Sequence, residues 1–229
     1  MSTSRDRSAE SRSPRAAGRQ PPRHASAHEP ARFVVSCRPL SWALYGVHLE
    51  PFATQRADDL LTAGRMTHAA EEISQHLHGQ SRLWLRCVDR PPSPELVQSL
   101  ATHAALRGLS RERLGFEIAQ EALLRDPTNV KDCLKTLRRF GFAAAIQLEC
   151  PARTQDLADL RELVDRAHAM GAVATAGNIA ERSLVQQLSN LGVAAVSGPA
   201  IAAPMGLQVL TGFIGKPERW YAAMRAQSL

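Results

Sequence analysis

Few residues in this chain stand at spacings that would support acid–base or metal chemistry. His48 and Glu50 lie close enough to suggest an acid/base pair, yet no nucleophile lies near them, so a structural histidine at a strand edge is the simpler expectation. His76 and His78 are two apart, which puts them on different faces of a helix and argues against a shared metal. Cys37, Cys87, Cys133 and Cys150 are widely spaced, with no CxxC pair, and three of them sit in apolar runs. They read as buried, reduced thiols rather than ligands or disulfides. Glu117, alone in the run RLGFEI, is the one carboxylate embedded in a strand-like segment.

Composition bounds what these residues could serve. The chain has 229 residues, 44% hydrophobic and 22% charged, enough for a sizeable core. No apolar run approaches the roughly 18 residues of a membrane span, and the first residues contain no apolar signal-peptide core, so the expected compartment is the cytoplasm. Residues 1–32 are rich in Ser, Arg, Pro and Ala and are expected to form a disordered basic tail. Its seven arginines against Asp6, Glu10 and Glu29 give a local charge of +4 out of the chain's formal +6. Nucleic acid is expected to touch the protein only through this tail, because the rest lacks the aromatic and basic pattern that reads single strands.

The elements that would position Glu117 alternate between short β-rich runs and helical stretches, which predicts an α/β domain over 33–229. Arg32 to Cys37 and Ala43 to Leu49 read as two strands a few residues apart, hence an antiparallel hairpin. Thr54 to His78 has helical spacing, Leu83 to Val88 reads as a third strand, and Pro94 to Gly108 as a helix capped by Ser93. Arg113 to Ile118 is the fourth strand, Asn129 to Phe140 a helix stopped by Gly141, and Phe142 to Leu148 the fifth strand. Helices at Thr154 to Met170 and Glu181 to Leu191, with strands at Ala172 to Thr175 and Val193 to Val196, complete the pattern. Helix, glycine, strand repeats as in a barrel, with seven strands where a (β/α)₈ barrel has eight.

Several segments, in order, resemble the EAL family of cyclic di-GMP phosphodiesterases. RERLGFEIAQEALL (Arg111 to Leu124) is similar to the family's R-L-x-x-E-I-T-E-S-A-L-L. AHAMGAVATAGNIAERSLVQQLSNLGVAAVSGPAIAAPM (Ala167 to Met205) resembles A-x-x-L-G-x-x-V-I-A-E-G-V-E-T-E-x-Q-x-x-x-L-x-x-L-G-x-x-x-x-Q-G-Y-x-x-x-x-P-M, with Gly171, Gly177, Leu188, Gly192, Gly198 and Pro204 as landmarks. Upstream, SCRPLSW stands where the family has Y-Q-P-I, YGVHLEPF where it has V-G-x-E-A-L-L-R, and RLWLRCVD where it has the V-N-x-S strand. The literal tripeptide Glu121-Ala122-Leu123 is not the signature, because it follows the fourth strand.

The resemblance implies an EAL-type modified TIM barrel with an antiparallel first strand. It also implies a two-metal site for phosphodiester hydrolysis, built from Asp and Glu at the strand ends. Matched by motif, most of those positions are substituted. His48 stands for the signature glutamate and Arg86 for the asparagine of the third strand. Gln147 and Leu148 stand for the paired aspartates, Ala176 and Ile179 for the two glutamates of A-E-G-V-E, and Ser197 for the glutamine of Q-G-Y. Glu117 alone is kept, while its companion glutamate is Gln120. Arg86 places a positive charge where a cation would sit, which costs several kcal/mol at low effective dielectric. Arg86 is also the expected partner of Glu117 in an internal ion pair.

The family's lysine-bearing strand has no counterpart, since Leu148 runs through Glu149-Cys150-Pro151 into the Thr154 helix. The barrel is therefore expected to have seven strands and to be incompletely closed. No catalytic residue, metal or cofactor is expected. The function implied is that of an inactive EAL-like regulator acting through protein contacts in cyclic di-GMP-linked bacterial signalling. The alternatives are a receptor that binds cyclic di-GMP without hydrolysis, with Arg38 in the place of the Q-P-I glutamine and Phe52 in that of the E-A-L-L-R arginine, and, last, an active phosphodiesterase.

Overall fold

The computed structural model describes residues 32–49, 59–77, 81–150 and 157–216. The predicted tail, Glu50, Phe52 and His78 lie outside these. Among the described residues eight strands form one sheet: β1 (Arg32–Cys37), β2 (Leu44–Leu49), β3 (Arg82–Cys87), β4 (Leu114–Ala119), β5 (Ala143–Glu149), β6 (Val173–Gly177), β7 (Ala195–Val196) and β8 (Met205–Gly206). The helices are α1 (Asp59–Ser74), α2 (Pro94–Leu106), α3 (Gln120–Arg125), α4 (Pro127–Arg139), α5 (Leu157–Ala169), α6 (Leu184–Asn190) and α7 (Leu207–Ile214). Strands β2 to β7 run parallel, and β1 is antiparallel to both β2 and β7.

Local chemistry explains where these elements begin. The Ser93 hydroxyl accepts from Leu96 N at 3.1 Å with Pro94 in the first turn, and Asp126 accepts from Asn129 N at 3.0 Å with Pro127 behind it. Each cap satisfies a backbone N–H that has no intrahelical acceptor. In α4 the apolar residues Val130, Cys133, Leu134 and Leu137 fall at helical spacing and are buried against the sheet. Burial of each such side chain contributes about 2 kcal/mol. Gly141 (φ +82°) then turns the chain into β5, with Phe142 N donating to Leu137 O at 3.0 Å.

Seven strands form the ring, as expected, but the ring is closed. The order runs β2-β3-β4-β5-β6-β7-β1, and β1 pairs back onto β2. Closure is achieved because β1 uses both edges. One edge carries β2, while the other pairs Cys37 with Val196 of β7 and Arg32 and Phe33 with β8. The expected gap is absent because β5 lies directly beside β6, from Ala145–Val173 to Glu149–Gly177. Strand β8 and helices α3 and α7 have no counterpart in the sequence reading; Glu121-Ala122-Leu123 lies within α3.

Alternate residues of each strand face the ring's interior. Leu83, Leu85, Phe116, Ile118, Ile146, Leu148, Ala174 and Ala176 face outward into one large core under the helices. A smaller inner cluster of Tyr45, Trp84, Ala145 and Ala195 fills the lower barrel. Trp84 fits because its neighbouring strands carry glycine. A methyl group at Gly46 would stand 2.4 Å from Trp84 Nε1, and one at Gly115 would stand 2.6 Å from Cε3 and Cζ3. Tyr45 reaches this layer because the β1–β2 register skips it, pairing Cys37 with Leu44 and Ser36 with Gly46. Its ring stacks on Trp84 with centroids 5.7 Å apart.

Candidate functional site

Above the Trp84 layer, toward the C-terminal ends of the parallel strands, the interior is polar. Glu117 projects from β4 and is 1% exposed. Its Oε2 accepts from His48 Nδ1 at 2.9 Å and from Arg86 Nε at 3.0 Å, and its Oε1 accepts from Thr175 Oγ1 at 2.7 Å. On the far side of the imidazole, Nε2 lies 2.7 Å from Ser36 Oγ. Five strands thus contribute to one network. Thr175 on β6 reaches Glu117 across β5 because Ala145, the β5 residue paired with Glu117, carries only a methyl group.

Burial alone would raise the Glu117 pKa from its usual 4.5, but the His48 ring, Arg86 and the Thr175 hydroxyl outweigh it and bring it down to about 2. The carboxylate is therefore ionised and satisfied on both oxygens. Arg86 is 14% exposed on its side chain, and its Nη2 is buried without a hydrogen-bond partner. The expected Arg86–Glu117 ion pair is present.

The sequence-predicted positions divide into those that reach this end of the barrel and those that do not. His48, Arg86, Glu117 and Gln147 face the interior. Gln120 begins α3, and its Oε1 accepts from Glu149 N at 3.2 Å, tying the top of β4 to β5. Ser197 is buried, its backbone N donating to Ala176 O at 2.9 Å and its carbonyl accepting from Ile179 N at 3.0 Å.

Leu148, Ala176 and Ile179 are outward residues packed in the core under the helices, so they do not border the network. The inward position ending β6 is Gly177, where a methyl group would stand 2.0 Å from Gln147 Nε2. The left-handed conformation a glycine would take belongs to Asn178, with φ +57°. Arg38 is likewise misplaced by the motif match. It follows the end of β1 nearest the start of β2, at the opposite end of the barrel, with its guanidinium 5.6 Å from the Tyr45 ring centroid. Among the described residues, His48 is the histidine that enters the site, and His76 does not.

Two network residues, Ser36 and Thr175, were not anticipated. Their signal was present: each is a lone hydroxyl in an apolar strand, at an inward position of RFVVSC and VATAG.

This arrangement of strands has known relatives in three dimensions. The chain superposes on the EAL domain of DcpA from Mycobacterium smegmatis with a TM-score of 0.63, at 13% identity, over 84% of this chain and 98% of that one. The fold is the EAL fold. The phosphodiesterase PaMucR in complex with c-di-GMP gives a TM-score of 0.61 at 12% identity, covering 79% of this chain and 93% of that one. The EAL enzyme Bd1971 in its cGMP-bound form gives 0.62 at 11% identity over 80% of this chain; the chain spans 64% of that structure's length. No family model matches the sequence, and no curated protein does.

The donor set of this EAL-type barrel does not suit a pair of divalent cations. Among the described residues no three His, Cys, Asp or Glu side chains come together as a metal group would require. The oxygens of Glu117 are already engaged by Arg86, His48 and Thr175.

Proposed function

We propose that the chain is a catalytically inactive EAL-fold regulatory protein that acts through protein contacts in cyclic di-GMP-linked bacterial signalling. In this reading the EAL-like domain covers 33–229, residues 1–32 form a basic tail, and the protein works in the cytoplasm. No helix among the described residues is long and apolar enough to cross a membrane.

The observation that carries the reading is the Arg86–Glu117 contact at 3.0 Å. A guanidinium beside the carboxylate is a fixed monovalent cation in the space where divalent ions would bridge phosphoryl oxygens. Displacing it would leave a buried charge unpaired, which costs about 3 to 5 kcal/mol. The network is thus a stable substitute for a metal site rather than a precursor of one. Gly177 and Gln147, at the ends of β6 and β5, add no carboxylate to it.

Calorimetry of the full chain with cyclic di-GMP, with and without Mg²⁺ or Mn²⁺, tests the proposal. No heat and no product are expected. Metal-independent binding would replace it with a receptor that binds without hydrolysis, and turnover would overturn it.

A further inference from the structure

The end of the barrel remote from Glu117 carries a second constellation. A cavity of about 280 Å³ opens among the N-terminal ends of the strands, lined by Tyr45, Arg82, Trp84, Arg138, Phe142 and Gly171, among others. Arg38 stands beside it over the Tyr45 ring. Arg82 Nε donates to Glu112 O at 2.9 Å and Arg138 Nη2 to Met170 O at 2.8 Å. Each bond pins a guanidinium by one nitrogen, and among the described residues its other donors meet no acceptor.

Among the described residues none of these three arginines has a carboxylate within ion-pair distance. Three like charges gathered around one concavity repel one another, and a bound anion removes that repulsion. Guanidinium forks suit the several oxygens of a phosphoryl group. Ala143, Ala144 and Val173 also line the cavity, above the buried Tyr45–Trp84 stack, so it offers an apolar wall to whatever carries the anion. Its volume is at the small end for ligand sites, which favours a compact ester over an extended dinucleotide.

We infer that this cavity is an anion site for the phosphoryl group of a small phosphomonoester, held by Arg82 and Arg138 with Arg38 at the rim. The site is independent of the reading given above, since it lies at the other end of the barrel.

The test is calorimetric titration of the full chain with inorganic phosphate, ribose 5-phosphate and AMP, repeated on Arg82→Gln, Arg138→Gln and a control, Arg125→Gln. Arg125 donates to Asp89 O beyond the opposite end of the strands. Saturable binding of at least one ligand is expected, weakened about tenfold or more by each of the first two substitutions and unchanged by the control. Tighter binding of an ester than of phosphate would show that the apolar wall takes part, and equal binding would show that the phosphoryl group is all that is recognised. No heat with any of the three ligands overturns the inference. So does binding that Arg125→Gln weakens as much as Arg82→Gln, which marks mere attraction to a basic surface.

Discussion

His48 Nδ1 stands 2.9 Å from Glu117 Oε2, so β2 and β4, which share no ladder, are joined inside the barrel across β3. On the other side of the ring Nε2 lies 2.7 Å from Ser36 Oγ, whose hydroxyl also lies 3.3 Å from Gly46 O. The order serine, histidine, carboxylate matches that of a hydrolytic triad. Ser36 is only 1% exposed, however, and its Oγ is enclosed by His48 and the β2 backbone. The relay therefore ties β1, β2 and β4 together inside the barrel.

Removing the carboxylate should be costly. Glu117→Gln leaves the Arg86 guanidinium without a counter-charge in a nearly closed space, and a loss of about 3 kcal/mol at neutral pH is expected. The double variant Arg86→Met, Glu117→Gln should lose less than the sum of the two single variants, because the second change removes the orphaned charge. Urea denaturation of all four proteins gives the coupling energy. A coupling near zero would show that the 3.0 Å contact contributes nothing.

Acid should weaken the same network. Glu117 is held at about 2 against a usual 4.5, so the native state binds fewer protons than the unfolded chain between those values. The stabilisation is fully present above about pH 5 and is lost as pH falls toward 2, in total about 3 kcal/mol. The stability difference between the parent and Glu117→Gln, measured at intervals from pH 7 to 3, should therefore narrow with acidification. A constant difference would mean that this carboxylate is not the group titrating.

Much of this architecture was legible in the chain. Short β-rich runs marked the strands of the ring, and Ser93 with Pro94 marked the start of α2. The lone Glu117 beside Arg86 gave the ion pair, because a buried carboxylate requires a cation. What was not legible depended on register. Ala176 and Gly177 differ by one residue in the chain but face opposite sides of β6, and a glycine landmark cannot say which of the two faces inward. Arg38 was misplaced because the turn between β1 and β2 sets which end of β1 lies near the polar layer. Closure was missed because it rests on a single β1–β7 residue pair, too short to leave a periodic signal.

The thiols should behave as interior groups. Burial pushes Cys37 up to about 12 against a smaller opposing pull from Arg182, and raises Cys133 to about 12; Cys87 is raised by burial as well. Thiolate is the reactive form, so these three should resist a disulfide reagent at pH 8 and react at full rate only in denaturant. Cys150, which follows β5 and is half-buried where Cys37 and Cys133 are buried, should be labelled before those two. Mass spectrometry of time-resolved labelling fixes the order, and rapid native labelling of Cys37 would contradict its place in the closing seam.

Gly198 offers the sharpest test of how the barrel is closed. Its φ is +139°, and a methyl group there would stand 2.2 Å from Ile179 N and 2.8 Å from Ile179 O. Both atoms are backbone, and both are committed: Ile179 N donates to Ser197 O at 3.0 Å, and Ile179 O accepts from Ala200 N at 2.9 Å. No side-chain rotation can relieve such a clash, so Gly198→Ala must separate the segments that follow β6 and β7, adding to a backbone strain of about 1 to 3 kcal/mol. Gly206→Ala is the matched control, because a methyl group there meets nothing within 4 Å, and a change within about 0.5 kcal/mol is expected. Hydrogen exchange distinguishes a local from a global effect. If the β7 seam depends on this close approach, the amides of Ile179 and Ala200 lose protection in Gly198→Ala while those of β3 and β4 keep it. Uniform loss across the barrel would mean that the seam and the ring unfold as one unit.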